Sequence, residues 1–139
     1  MTQQVSVAPT VGEELPPFVR ETGFAAWNRY AAVNDEFVPI HMDDEAGKAA
    51  GYPTAFGMGN LQWSYLHILV RQWLAGRGRI VRLSCQFRNP NLKGQTVTAR
   101  GVVESVSEEG GVISAELRIW TETQDGAQLA PGTATVVFD

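Results

Sequence analysis

His41 follows two adjacent carboxylates in the segment Asn34-Asp35-Glu36-Phe37-Val38-Pro39-Ile40-His41-Met42-Asp43, and His67 is the chain's other histidine. An imidazole gains and loses a proton near neutral pH, and a nearby carboxylate can orient a water or take its second proton. The pair therefore suits general acid and base work on one water. Pro39 restricts the backbone between the two groups. The plainer alternative is a solvated acidic loop whose histidine caps the next helix, and spacing alone favours it. A second landmark is Phe56-Gly57-Met58-Gly59-Asn60-Leu61, at the start of a long apolar run. Glycines at a helix start expose backbone N–H groups at the positive end of the dipole, where a carbonyl oxygen gaining negative charge can be held. The same glycines equally permit a tight turn or close packing of chain on helix.

These groups must be positioned by the elements around them. Residues 1–15 are polar or small without a sustained period and read as a loose arm, and Pro16-Pro17 forces an extended passage. Thr22 is placed to cap a helix over Gly23 to Ala32, with Phe24, Trp27 and Ala31 on one face. Asp43 is placed to cap a second short helix ending at Gly51, which leaves His41 on the loop between them. From Met58 to Leu74 the chain is apolar on nearly every face, so this helix of roughly 25 Å is expected to be wrapped by protein. Beyond Gly78 the period changes to two. Val81, Leu83, Cys85 and Phe87 define one strand, Thr96 to Ser105 a second, Ile113, Ala115, Leu117 and Ile119 a third, and Ala134, Val136 and Phe138 a fourth. One buried helix followed by four strands, each apolar on one face, gives an α+β chain, residues 1–139 as one domain, with a curved antiparallel sheet around a central helix. Such a sheet leaves an edge open and covers little of a long helix, so a second copy or a related subunit is the expected completion.

Composition narrows the chemistry further. Eleven Lys and Arg against fifteen Asp and Glu give a net charge of -4, with no basic block to meet a phosphate backbone, so nucleic acid is excluded as a partner. Cys85 is the sole cysteine, and with two histidines neither a disulfide nor a thiolate or histidine metal cluster is expected; no cofactor is called for. Cys85 falls on the apolar side of its strand as a small hydrophobe. Trp63, Tyr65 and Trp73 are expected in the core and Trp120 at an interface or the surface. Met1 to Pro9 carry neither the positive start nor the apolar run of a secretory signal, and no stretch is long enough to span a membrane. The expected address is the cytoplasm.

Taken together, the histidine loop and the glycine-bearing helix start resemble the MaoC-like family of hotdog proteins, the (R)-specific enoyl-CoA hydratases and related acyl-carrier dehydratases. The family motif reads Gly-Asp-x-Asn-Pro-Ile/Leu-His-x-Asp, followed by a His-Gly-Met-Leu type start of the central helix. Laid on without gaps, its aspartate falls on Glu36, its proline on Pro39, its histidine on His41 and its helix-start glycine on Gly59. Val38 stands where asparagine is usual and Met58 where histidine often precedes the glycine. Gln86-Phe87-Arg88-Asn89-Pro90 and Gly94 to Ala99 are similar to the family's sheet, so the likeness runs from about Gly23 to the C-terminus. It implies a hotdog fold and a hydro-lyase acting on a 2-enoyl thioester, or its 3-hydroxy counterpart, carried on coenzyme A or an acyl carrier protein. It also implies His41 with Glu36 as the catalytic pair, or Asp35 as the acid if the loop holds one extra residue. Substrate contacts are implied at Gly59, Met58 and Asn60, with His67 either a structural histidine or a wall of the acyl tunnel. A homodimer, or a heteromer with another hotdog subunit, is the implied assembly. The altered loop keeps open a non-catalytic partner subunit and, further off, a hotdog thioesterase.

Overall fold

Strand periodicity and the single long apolar helix are realised together in the computed structural model, which describes residues 8–139. The elements run β1 (Phe18–Glu21), α1 (Phe24–Asn34), a 3-10 turn (Pro39–His41), α2 (Asp44–Ala49), α3 (Gly59–Leu74), β2 (Gly78–Cys85), β3 (Thr96–Glu109), β4 (Val112–Thr123) and β5 (Gln128–Phe138). The five strands form one antiparallel sheet in the order β1-β3-β4-β5-β2. Val97, Ala99 and Val103 of β3, Ala115, Leu117 and Ile119 of β4, and Ala134 and Val136 of β5 alternate inward. They meet Tyr65, Leu66, Leu69, Val70, Trp73 and Leu74 of α3 in one cluster. Burial of these side chains, worth about 1.5 to 3 kcal/mol for each large one, is what curls the sheet around the helix. The architecture is the expected α+β hotdog.

Five local expectations are corrected. The arm over residues 1–15 is not loose where it is described: Gly12 and Leu15 donate to the carbonyls of Val103 and Gly101, Val103 donates to Glu13, and Trp73 Nε1 donates to Glu13 Oε2 at 2.8 Å. Residues 1–7 of that arm lie outside the described residues. Past the prolines, Phe18–Glu21 is a fifth strand paired with β3; four residues are too few to show a period. Thr22 does not cap α1. Gly23 holds that position, and the Thr22 hydroxyl donates to Gln95 O at 2.7 Å instead. In β2 a bulge between Ile80 and Arg82 slips the alternation, so Ile80, Leu83 and Cys85 face the core while Val81 is 56% exposed. Nor is α3 wrapped on every side: the sheet covers one face, and Trp63 is 42% exposed on the other.

The loop segments that carry the chemistry are tied down by polar contacts. Asp43 accepts from the Glu45 N–H as the expected cap of α2. Asp44 accepts from the Ala55 N–H at 3.0 Å and pairs with Lys93, joining α2 to the segment entering α3 and to the turn before β3. The Lys93 hydrogen bond, then that of Ala55, holds the Asp44 carboxyl below its ordinary 3.8. A carboxyl depressed by folding stabilises the fold above its unfolded value and loses that contribution as pH falls through the folded one. Asp44→Asn is therefore expected to melt at a lower temperature than the parent at pH 6, the gap narrowing once pH falls below 3.8. Melting curves recorded across pH 3 to 6 check this, and a gap independent of pH would exclude the ion pair as its source.

Candidate active site

His41 closes the 3-10 turn that Pro39 opens; the fixed φ of proline suits that first position, where no N–H is needed. Its Nδ1 lies 2.6 Å from the carbonyl oxygen of Phe56. A carbonyl only accepts, so Nδ1 donates, and in the neutral tautomer that this bond selects Nε2 is the acceptor a general base needs. The Phe56 N–H in turn donates to Ile40 O at 3.1 Å, which locks the histidine turn onto the segment leading into α3.

The carboxylates reach different places. Asp35 ends α1 in the left-handed conformation, φ 52, and that turn redirects the chain at Glu36, whose N–H donates to Ala31 O at 3.0 Å. Glu36 and His41 line a common cavity of about 240 Å³ together with Tyr30, Met58, Gly59 and Asn60. Asp35 lies on the exposed turn and is not among its walls. Gly59 and Asn60 begin the 16-residue α3, no side chain caps that end, and among the described residues neither amide donates to another backbone group. Two free N–H groups and the positive end of the helix therefore stand beside the Glu36 and His41 cavity.

The glycines serve different ends. A Cβ on Gly59 would lie 2.6 Å from Phe87 Cδ2, so the Phe87 ring rests directly on this residue. The ring separates the first cavity from a recess of about 210 Å³ that shares His41, Gly59 and Phe87 and adds Tyr52, Gln62 and Arg88. A Cβ on Gly57 would lie 2.8 Å from Trp27 Nε1, so here glycine permits close packing. Buried Asn91 braces this stretch: its carbonyl accepts the Gly57 N–H at 2.7 Å while its amide donates to Thr22 Oγ1 at 3.0 Å.

Of the expected substrate contacts, Gly59, Met58 and Asn60 line the cavity. His67 does not. It lies two turns further along α3, where its Nδ1 bonds the Trp63 carbonyl at 3.0 Å, and it lines neither recess. Burial pushes the Cys85 thiol above its ordinary pKa, away from the thiolate a nucleophile requires. Among the described residues no three His, Cys, Asp or Glu side chains are grouped to hold a metal. A larger hollow of about 590 Å³ between β2, β4 and β5 contains neither His41 nor either loop carboxylate, so it is not the seat of this chemistry. Reasoning from sequence missed Tyr30, Tyr52, Phe87, Gln62 and Asn91. The one available signal was Gln62, a polar residue in the most apolar helix of the chain.

The fold agrees with what the chain is similar to. The family model described as "MaoC like domain" matches residues 10–123. The (R)-specific enoyl-CoA hydratase of Aeromonas caviae is 30% identical over 115 residues, 82% of this chain and 84% of that protein. A solved structure of the A. caviae (R)-hydratase involved in PHA biosynthesis superposes with a TM-score of 0.80 at 26% identity, covering 97% of this chain and 98% of the other. The ChsH1-ChsH2 complex from Mycobacterium tuberculosis also contains a chain of this fold, with a TM-score of 0.80 at 19% identity over 94% of this chain and 98% of that one.

Proposed function

Because the chain belongs to the MaoC-like family, we propose that Glu36 and His41 activate one water for reversible addition to a 2-enoyl thioester, with the Gly59 N–H receiving the charge. The enzyme is a hydro-lyase, a hydratase or dehydratase of acyl thioesters. The observation that supports these roles is the shared cavity: a histidine bonded through Nδ1 alone, a carboxylate and an uncapped helix start all border it.

In the hydration direction His41 Nε2 accepts a proton from the water while Glu36 orients it, and the hydroxide oxygen bonds to the β-carbon. The π electrons shift through the α-carbon to the thioester oxygen, which becomes enolate-like and accepts from Gly59 N–H at the positive end of α3. Collapse of the enolate takes a proton at the α-carbon from the same side, returned by the acid-base pair, so that water is added in full and the site is restored. Dehydration is the reverse. The carrier is coenzyme A or an acyl carrier protein.

The working unit is a homodimer or a heteromer with another hotdog subunit. Strand β2 is a sheet edge, Val81 and Trp63 expose apolar surface, and a solved relative of the same fold is the ChsH1-ChsH2 complex. No described helix is long and apolar enough to cross a membrane, and the cytoplasm is the proposed location.

The assay is loss of the conjugated enoyl-thioester absorbance on adding the purified chain. Glu36→Gln is expected to lower kcat by about 100-fold or more, the usual contribution of a positioned acid or base, while Asp35→Asn stays within a few-fold of the parent. The opposite ranking would transfer the acid to Asp35. Release of free thiol in place of absorbance loss would show a thioesterase.

A further inference from the structure

Gln62 lies one turn into α3 and is 3% exposed, and its carboxamide brings one acceptor oxygen and two N–H donors to that position. The oxygen end is satisfied. Thr121, fully buried on β4, accepts the Ala130 N–H at 3.1 Å and donates its own proton to Gln62 Oε1 at 2.6 Å. Gln62 is the only acceptor the Thr121 hydroxyl reaches among the described residues, and this fixes which end of the amide faces the sheet. Nε2 is left with two N–H groups, no partner among the described residues, and a place on the wall of the 210 Å³ recess beside His41 and Gly59. No carboxylate lines that recess.

A role confined to supporting Thr121 would need an acceptor alone. A donor on a residue held by the sheet, lining the recess that also touches His41 and Gly59, has a further consequence: an alkyl chain pressed on it strands both N–H groups away from water, whereas an oxygen satisfies one. Sites built around such a hydrogen bond reject analogues that lack it far more strongly than apolar pockets distinguish chain lengths.

We propose that Gln62 is a specificity-determining residue and that the substrates are 2-enoyl thioesters whose acyl group bears an accepting oxygen, as carboxylate, carbonyl or ether, held by Gln62 Nε2. This rests on the hydratase reading above. The test compares kcat/KM for matched pairs, fumaryl-CoA against 2-butenoyl-CoA and 4-methoxy-2-butenoyl-CoA against 2-hexenoyl-CoA, in the parent, Gln62→Leu and Gln62→Glu. The glutamate keeps an acceptor for Thr121 and removes the donor, so it separates loss of the amide from loss of packing.

The parent is expected to prefer the oxygenated member of at least one pair by tenfold or more, and both variants to lose that preference. Preference for the alkyl member in both pairs overturns the proposal, as does an equal loss on all four substrates, which would make Gln62 a second donor to the thioester oxygen or a structural residue. If the parent turns over none of the four, the hydratase reading fails. Calorimetric binding of succinyl-CoA against butanoyl-CoA then decides the role of Gln62 by itself: a tenfold preference for succinyl-CoA that disappears in Gln62→Glu supports it, and equal affinities refute it.

Discussion

His41→Ala is expected to fold as the parent does and to lose about 100-fold to 10,000-fold in kcat on 2-enoyl thioesters, the range spanned by loss of a positioned general base. The structural cost is small, because the ring is only partly buried and its one hydrogen bond, to Phe56 O at 2.6 Å, is worth about 1 kcal/mol net. The measurement is therefore a pair: a melting curve that moves by a few degrees and a progress curve that goes flat. Unchanged turnover would remove His41 from the reaction. Activity that exists only when a second hotdog subunit is added, and is indifferent to His41→Ala, would make this chain the non-catalytic half of a heteromer.

The second large effect is expected at Gly59, where two roles can be separated. The residue must lack a side chain because Phe87 lies on it, and its N–H is the proposed donor to the enolate oxygen. In a Phe87→Ala background the steric objection is removed, so Gly59→Ala and Gly59→Pro then differ chiefly in the N–H. Proline is compatible with the site: Gly59 is the first residue of α3, where a missing N–H breaks no helical bond, and Met58 before it is already extended at φ -68, ψ 133. The proline variant should retain the helix and fall a further 100-fold to 1,000-fold in kcat below the alanine variant, the size seen when a single oxyanion donor is removed. Equal kcat for the two would show that the thioester oxygen lies elsewhere.

Some parts of this site could be read along the chain and others could not. The histidine turn was legible because Pro39 and His41 act within a few residues of each other, and the start of α3 because glycines and an apolar run mark it. The choice between Glu36 and Asp35 was not, since they are neighbours of the same chemical type. It depends on one left-handed residue, Asp35 itself, which turns the chain by an amount that no side-chain pattern encodes. Of the two readings open for His67, a structural histidine or a wall of the tunnel, the structure takes the first, with Nδ1 on the Trp63 carbonyl. The bulge at Ile80/Arg82 likewise puts Ile80 inward in place of Val81, against strict alternation, while Leu83 and Cys85 keep the expected side.

Periodicity and local motifs are short-range properties, so the order of amino acids determined the three helices, the long apolar one among them, four of the five strands that cover it and the histidine loop. Tertiary structure alone decided which side of α3 stays open, which carboxylate lines a cavity with His41, that Phe87 covers Gly59, and that Thr121, 59 positions from Gln62, takes one end of its amide and leaves the other free. Those outcomes arise from bulges, single backbone angles and contacts between distant strands, whose energies are set only when the sheet has closed on the helix.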